Sequence, residues 1–281
     1  MKRLYTPFLV LLLLCTVCCN HLSKSRELVQ RLTEEEQQQT TTADDIYNNG
    51  IDNMLPAPLT DRPEQILRRE GYTVSYNKNL LLPNWVAWHL TAEHTTGPYK
   101  RKGRTFTEDE DVEGPRANTY DYQRSGYDRG HMCPSADNRW SEQAQAQCFM
   151  MTNICPQLHA LNDGDWRILE EQCRNWAKQF GDIYIVCGPV LMRKNHKLIG
   201  KNNITVPEAF FKVILCTHGE PKGIGFIYRN EAKRHPQTEY VNTIDEVERI
   251  TGIDFFASLP DNVENKVESQ ANLEKWPATT K

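Results

Sequence analysis

The sequence predicts an α+β fold, with a single domain over about residues 66–262. Two runs in which apolar and polar residues alternate are typical of neighbouring strands with one buried face: 72–76 and 86–92. Three further runs are continuously apolar, as in buried strands: 183–190, 210–216 and 223–228. A stripe of apolar residues at helical spacing covers residues 164–180 and ends at Gly181. Strands interspersed with helices, without an internal repeat, therefore predict one mixed core.

The other elements complete this order along the chain. A loop rich in charge, glycine and proline covers Gly97 to about Tyr122, and a second loop is predicted from Asp128 to Arg139 because Gly130 and Pro134 disfavour regular structure. A short helix, a strand and a later helix are predicted at Ser141–Cys148, Phe149–Ile154 and Ile244–Ile250, the last with Thr243 as its N-cap.

The first 19 residues predict export. Lys2 and Arg3 precede the apolar run Phe8–Leu14, which is too short to span a bilayer as a permanent helix. Because Cys19 follows this run, the segment fits either a cleaved signal peptide or a lipoprotein signal with a lipid anchor at Cys19. The predicted localisation is therefore exported, as a secreted, periplasmic or membrane-anchored protein.

Polar segments flank the predicted domain on both sides. Residues 20–65 contain runs of glutamate, glutamine and threonine and too few apolar side chains to form a core. They predict a disordered linker. Residues 263–281 are also polar and predict a C-terminal tail.

Composition limits the classes of function. The six cysteines beyond residue 100 include no C-x-x-C pair, which argues against a zinc ribbon and favours small buried side chains: Cys133, Cys148, Cys155, Cys173, Cys187 and Cys216. The formal net charge of −4 argues against a surface broadly covered with phosphate-binding cations. Nucleic-acid binding would depend on a local patch such as Lys100–Arg104, although a cluster of this kind is more often a solvated loop.

The segment Asp128-Arg129-Gly130-His131 combines residue types that suit phosphate chemistry. The planar guanidinium of Arg129 can bind two phosphate oxygens, and the imidazole of His131 can exchange a proton near neutral pH. A lone histidine in a loop is more often only a surface residue, so the pattern is a hypothesis at this point.

A second group of polar residues lies downstream. Asn153 ends a predicted strand, Gln157 follows a proline, Asn162 precedes the long helix and Glu170 lies on it, beside the apolar stripe. Asn162 could simply cap the helix, and Glu170 could belong to its solvated face. The spacing alone does not decide between these interpretations.

The stretch Asp128–Asp137 resembles the signature of the DNA/RNA non-specific endonucleases, a family that includes secreted bacterial nucleases and endonuclease G. Four further stretches resemble the family in the same order: Thr152–Gln157, Leu161–Trp166, Leu169–Glu170 and Thr251–Phe256. One departure is Cys133, where the family usually has alanine, and this cysteine is a candidate for a disulfide. The resemblance implies a ββα-metal (His-Me finger) active site on a central, mostly antiparallel sheet.

The resemblance also implies a role for each polar residue. His131 would be the general base that activates water, Asn162 the direct ligand of Mg²⁺ (with Mn²⁺ able to substitute), and Glu170 the group that holds the waters of the ion. The remaining residues would neutralise phosphate (Arg129 and Arg104), support the site by hydrogen bonds (Asn153 and Gln157) or have a structural role (Asp128).

The expected function is therefore Mg²⁺-dependent, sequence-non-specific cleavage of DNA and RNA that leaves 5′-phosphate and 3′-hydroxyl ends. DNA and RNA are the expected partners, and a homodimer is expected because such dimers occur in the family. Two alternatives remain open from sequence: a metal-dependent phosphodiesterase that acts on smaller phosphodiesters, and a non-catalytic surface lipoprotein that binds nucleic acid.

Overall fold

A computed structural model describes residues 54–277, which belong to the compact unit Tyr47–Lys281. The predicted export segment, including Cys19, and residues 20–53 of the predicted linker lie outside the described residues. Within residues 54–277, no helix has both the length and the apolar character needed to cross a membrane. Part of the predicted linker belongs to the fold, because Met54 is buried and the first strand begins at Gln65.

Both strands and helices occur along the described residues. The strands are β1 (Gln65–Arg68), β2 (Thr73–Asn77), β3 (Leu82–Thr91), β4 (Asp128–His131), β5 (Ile154–Gln157), β6 (Asp182–Val190), β7 (Leu198–Ile199), β8 (Ile204–Thr205), β9 (Ala209–Cys216), β10 (Lys222–Arg229) and β11 (Val241–Asn242). The α-helices are α1 (Glu142–Gln147), α2 (Arg167–Phe180), α3 (Ile244–Thr251) and α4 (Asp261–Glu268). This composition confirms the predicted α+β class.

Seven strands form a central sheet in the order β1-β2-β3-β6-β9-β10-β11, and each neighbouring pair is antiparallel. The two alternating runs predicted as neighbours are β2 and β3, which pair with Val74 opposite Val86. Two smaller ribbons, β4-β5 and β7-β8, lie outside this sheet. The predicted central antiparallel sheet is therefore confirmed.

The two faces of the sheet carry different helices. On one face, Phe226 of β10 stacks against Trp176 of α2 at a centroid distance of 6.4 Å. On the other face, a Cβ atom at Gly223 would lie 2.6 Å from Ile244 in α3 and 2.6 Å from the carbonyl oxygen of Val267 in α4. Glycine is required there because the two helices approach the strand more closely than any side chain permits. The helix α2 and the pair α3-α4 thus lie on opposite sides of the sheet.

The long helix differs from its prediction at its start. Its apolar stripe is buried as expected, at Leu169, Cys173, Trp176 and Ala177. Residues Leu161–Trp166, however, form a wide π-helical turn, in which the backbone of Gly164 leaves helical geometry (φ −106°, ψ −116°). The N-cap position of α2 is Trp166. The alternative in which Asn162 caps this helix is therefore wrong.

The segment Asp128–His131 forms strand β4, which corrects the predicted loop. It pairs antiparallel with β5, with Asp128 opposite Gln157 and His131 opposite Ile154. Pairing with a distant strand overrides the local effect of Gly130. The predicted strand Phe149–Ile154 is likewise wrong, since Met151–Asn153 form a 3₁₀ turn and β5 begins only at Ile154.

The predicted polar tail is part of the fold as far as Pro277. Helix α4 begins at Asp261, and Trp276 is buried, with its ring 5.1 Å from that of Trp176 and 5.7 Å from that of Phe180. A single large aromatic side chain is enough to dock a polar segment because it buries 150–250 Å² of surface. The prediction of a tail from residue 263 is therefore wrong over its described part.

The six cysteines behave as predicted. All of them, from Cys133 to Cys216, are buried free thiols. Cys133 therefore does not form the disulfide considered for it, and it donates its backbone N–H to the side chain of Asn153.

Candidate active site

The ribbon β4-β5, the wide turn and α2 form a ββα unit around one cavity of about 590 Å³. Three of the predicted site residues line it, each from a different element: His131 from β4, Asn162 from the wide turn and Glu170 from α2. The other lining residues are Lys100, Arg101, Pro134, Ser135, Ala136, Arg139, Asp163, Arg167, Glu171 and Arg174. The fold thus brings the predicted base, metal ligand and carboxylate together.

His131 lies at the end of β4 with its ring buried between two aromatic side chains. The imidazole is 5.3 Å from the ring of Phe106 and 5.0 Å from that of Phe149, centre to centre. Its Nε2 atom has no hydrogen-bond partner among residues 54–277. Burial, with a smaller contribution from Arg101, lowers the pKa of His131 to about 3. The ring is therefore neutral at neutral pH, which differs from the imidazole expected from sequence to exchange a proton near neutral pH, and its unprotonated nitrogen can accept a hydrogen bond from water.

Asn162 is held by Asp128 from the start of β4. Its Nδ2 atom donates to Oδ2 of Asp128 at 2.9 Å, and the same carboxylate oxygen is 2.8 Å from Nδ1 of His159. Because the NH₂ end of the amide faces the carboxylate, Oδ1 of Asn162 points away from that carboxylate. An amide oxygen of this kind is a hard ligand suited to Mg²⁺.

Glu170 lies on α2, half-buried at the cavity wall. Burial raises its pKa to about 7, although Lys212 and Arg174 act in the opposite direction. The carboxylate is therefore partly protonated near neutral pH until a cation approaches it. It is placed to hold positive charge or water on the side of the cavity formed by α2.

A buried lysine lies beneath this wall. Lys212 of β9 is fully buried, and its Nζ has no hydrogen-bond partner in the part of the chain that the structure describes. It lies 4.4 Å from the ring of Trp166 and 5.0 Å from that of Trp88. Asp137 completes the group by accepting hydrogen bonds from Trp88 at 3.1 Å and from Arg174 at 3.0 Å. Sequence reasoning missed Lys212, whose position within an otherwise apolar strand was the available signal.

Positive charge exceeds negative charge around the cavity. Among the described residues, five cationic side chains and three carboxylates line it: Lys100, Arg101, Arg139, Arg167 and Arg174 against Asp163, Glu170 and Glu171. A protein with a net charge of −4 therefore has a locally positive cavity. Arg101 and Lys100 come from the predicted basic cluster, whereas the three other arginines were not predicted.

The two arginines predicted to bind phosphate lie outside the cavity. Arg104 donates to Glu142 at 3.3 Å. Arg129 donates to the hydroxyl and the carbonyl of Thr119, and its guanidinium lies 5.6 Å from the ring of Phe106, which separates it from His131. Neither guanidinium lines the cavity as the structure describes it, so the phosphate contacts expected for them stay predictions.

Asn153 supports the ribbon by hydrogen bonds as expected, whereas neither Oε1 nor Nε2 of the buried Gln157 has a hydrogen-bond partner among residues 54–277. Asn153 accepts the backbone N–H of Cys133 and donates to the carbonyl oxygens of Cys133 and Cys148, at 2.8–2.9 Å. The buried side chain of Gln157 lies across Gly130, where a Cβ atom would be only 1.9 Å from its Oε1. Gly130 therefore leaves space for Gln157, and neither Asn153 nor Gln157 lines the cavity.

The chain matches known nucleases over most of its described length. The family model for DNA/RNA non-specific endonucleases matches residues 51–262. The mitochondrial nuclease EXOG of Danio rerio is 34% identical over 205 residues, which are 67% of this chain and 60% of that protein. Nuclease C1 of Cunninghamella echinulata is 34% identical over 209 residues, 69% of this chain and 83% of that protein. The chain thus spans about three fifths of the EXOG length.

A solved structure supports the fold. The crystal structure of the EndoG/EndoGI complex has a TM-score of 0.69 and 26% identity, and the match covers 74% of this chain and 90% of that one. It agrees with the ββα-metal nuclease fold implied by the resemblance.

The relatives contradict the predicted localisation. EXOG of Danio rerio and the nuclease of Saccharomyces cerevisiae, 31% identical over 242 residues, are both named as mitochondrial. The prediction of a secreted, periplasmic or lipid-anchored protein rested on basic residues before a short apolar run. Such a pattern does not fix a destination, and the prediction of export is wrong.

The ββα unit, the cavity that joins His131, Asn162 and Glu170, and the match over residues 51–262 lead to one assignment. The chain belongs to the DNA/RNA non-specific endonuclease family.

Proposed function

We propose that this protein is a Mg²⁺-dependent endonuclease that hydrolyses phosphodiester bonds of DNA and RNA without sequence specificity. One observation carries the proposal: the Nε2 atom of the buried His131 has no partner among residues 54–277, and this residue lines a cavity with a net excess of positive charge. A buried imidazole nitrogen without a partner is costly to keep unless a bound molecule uses it. The names of the relatives as nucleases agree with this assignment.

The donor groups in the cavity fit a magnesium ion. Asp128 fixes the amide of Asn162, so that the amide oxygen is left as a ligand. Glu170 supplies a carboxylate from α2. An all-oxygen set with few protein ligands suits Mg²⁺, which keeps several of its own waters, and Mn²⁺ has similar preferences. When bound, such an ion stabilises negative charge on the phosphate and the leaving oxygen.

The residues of the chain then divide the work of hydrolysis. Nε2 of His131 takes a proton from the attacking water as the water oxygen bonds to phosphorus. The bond from phosphorus to the 3′ oxygen breaks, and that oxygen gains a proton from solvent. The products are a 5′-phosphate and a 3′-hydroxyl. Asn162 and Glu170 hold the ion and its waters in place during this exchange.

The cations of the cavity contact phosphate rather than bases. Arg101, Arg139 and Arg174 line the cavity and can donate to phosphate oxygens, which stabilises the extra charge on a five-coordinate phosphorus. Arg101 thus takes the role that the sequence suggested for Arg104. Contacts to phosphate carry no base information, so cleavage is expected at any sequence.

The proposal is tested by incubation of the purified protein with plasmid DNA and with RNA, in Mg²⁺ or in EDTA. We expect cleavage of both in Mg²⁺ and none in EDTA. His131→Ala should reduce the rate by about 10²–10⁴-fold, whereas the control His196→Ala, which changes a histidine paired with Glu208 outside the cavity, should not. Binding without cleavage by the wild-type protein would favour the non-catalytic alternative.

Two matters stay predictions. Hydrolysis of a small phosphodiester such as bis(p-nitrophenyl) phosphate, with nucleic acids left intact, would favour the phosphodiesterase alternative. The homodimer expected from the resemblance is tested by light scattering of the purified protein.

A further inference from the structure

The face of the sheet opposite the candidate active site carries a compact group of carboxylates. Asp245 and Glu248 of α3 and Glu268 of α4 each offer one carboxylate oxygen, and these oxygens lie within 4.8 Å of one another. The helices that carry them cover the side of β10 that faces away from α2. The group is therefore separate from the cavity of His131, Asn162 and Glu170.

Glu268 is the unusual member of this group. Its side chain is only 6% exposed, and its Oε1 is buried without a hydrogen-bond partner within residues 54–277. An ionised carboxylate in such a position is unstable unless a cation or a donor meets it. The charged groups that act most strongly on it are all carboxylates, namely Glu248, Glu264, Asp245 and Asp254.

The buried Oε1 of Glu268 is therefore left without a donor among the described residues, whereas Glu248 accepts the backbone N–H of Phe255 at 2.7 Å. A cation placed among the three carboxylates would meet this unpartnered oxygen and the oxygens of Asp245 and Glu248 at once.

We propose that Asp245, Glu248 and Glu268 bind a hard divalent cation, best matched by Ca²⁺, at a site distinct from the candidate active site. Oxygen ligands lie about 2.3–2.6 Å from Ca²⁺, so two ligands on opposite sides of the ion are roughly 4.8 Å apart. The three carboxylate oxygens, all within 4.8 Å of one another, therefore lie close enough together to share one ion.

The exposure of the three ligands suits calcium. Asp245 is exposed and Glu248 half-buried, so the ion has a path from solvent and room for the waters that complete its coordination. The site has no nitrogen or sulfur donor among its three members, which disfavours Zn²⁺. Ca²⁺ tolerates irregular carboxylate geometry better than Mg²⁺, which requires a near-octahedral arrangement.

A bound ion would join α4 to α3 and so fasten the C-terminal segment to the domain. The effect expected is on stability rather than on the chemistry of the distant cavity. The test is therefore a binding and melting experiment, whose outcome does not depend on whether the protein is a nuclease.

The protein is stripped with EDTA, dialysed and melted with increasing Ca²⁺ up to about 10 mM, the range of weak protein sites. We expect the melting temperature to rise with Ca²⁺ and calorimetry to detect the corresponding binding. Glu268→Gln and the exposed Asp245→Asn should each lose this binding and this rise. Asn162→Ala, which alters only the candidate active site, should keep both.

Two controls make the result decisive. Glu264→Gln changes a nearby carboxylate that is not one of the three ligands and should keep Ca²⁺ binding. Without Ca²⁺, Glu268→Gln should melt at or above the wild-type temperature near pH 8. The variant replaces a buried carboxylate that has no hydrogen-bond partner within residues 54–277 by a neutral amide. Failure of the wild-type protein to bind Ca²⁺, or equal binding by Glu268→Gln, would mean that the group is only a set of protonated carboxylates.

Discussion

The role of Asp128 in orienting Asn162 gives the sharpest prediction. Asp128→Ala removes the carboxylate oxygen that accepts Nδ2 of Asn162 at 2.9 Å. The amide is then free to rotate, and its oxygen no longer faces the cavity in every molecule. The proposed ligand remains in the sequence but loses its fixed orientation. We therefore expect the affinity for Mg²⁺ to fall while the fold is retained.

The size of the effect follows from the exposure of the pair. A hydrogen bond to a charged group contributes about 1.5–3 kcal/mol, and the 34% exposure of the Asp128 side chain reduces this to roughly 1–2 kcal/mol. Since about 1.4 kcal/mol corresponds to a factor of ten, Mg²⁺ affinity should fall by about 5- to 30-fold. The measurement is the Mg²⁺ concentration that half-activates cleavage, together with calorimetric binding of Mn²⁺.

Two matched variants separate orientation from general disturbance. In Asp128→Asn, the side-chain oxygen can still accept from Asn162, so the loss should be smaller. His159→Ala removes the other partner of the same carboxylate oxygen, but the imidazole is 77% exposed and does not contact Asn162, so Mg²⁺ affinity should stay within about 2-fold of wild type. Wild-type Mg²⁺ affinity in Asp128→Ala would refute the proposed orientation of Asn162.

Three further predictions follow from the site. Because burial raises the pKa of Glu170 to about 7, protonation of this carboxylate below pH 7 should raise the Mg²⁺ concentration needed for activity. Glu170→Gln should remove this pH dependence. An unchanged pH profile in the variant would exclude Glu170 as its source. Gly130→Ala should lower the free energy of unfolding by about 1–3 kcal/mol, because the new Cβ would lie 1.9 Å from Oε1 of Gln157. The double variant with Gln157→Ala should recover this stability in denaturant unfolding. Arg101→Ala should weaken nucleic-acid binding and lower the slope of log binding constant against log salt concentration by about 1, whereas Arg104→Ala should change neither. Equal effects of the two variants in filter-binding titrations would place both arginines at the phosphate.

Long, strongly periodic elements could be predicted from the sequence alone. The stripe of α2 is buried as expected because its spacing reflects a single helix face, independent of the rest of the chain. The alternation likewise predicted β2 and β3 as neighbouring strands, although both faces of β2 and most of β3 are buried rather than one face of each. The catalytic group of His131, Asn162 and Glu170 could be proposed only through resemblance, since their proximity depends on the path of the chain.

Local rules failed where distant contacts decide the structure. Gly130 suggested a loop, yet the side chain of Gln157 occupies the space above it and β5 supplies the pairing. Within one basic cluster, Arg101 faces the cavity and Arg104 does not, and no sequence pattern separates residues three apart in an irregular loop. Lys212 was visible as a cation in an apolar strand, but only the structure places it beneath Glu170.

The docking of Trp276 on α2 has a consequence for where a recombinant fragment of this protein can end. The family match ends at residue 262, and every residue of the candidate active site lies before that point. The segment beyond it returns to α2, where Trp276 contacts Trp176 and Phe180, two residues of the helix that carries Glu170. A recombinant fragment trimmed at the limit of sequence similarity would retain all of the chemistry and expose the far end of its supporting helix. The structural boundary of the domain therefore lies at or beyond this aromatic contact rather than at residue 262.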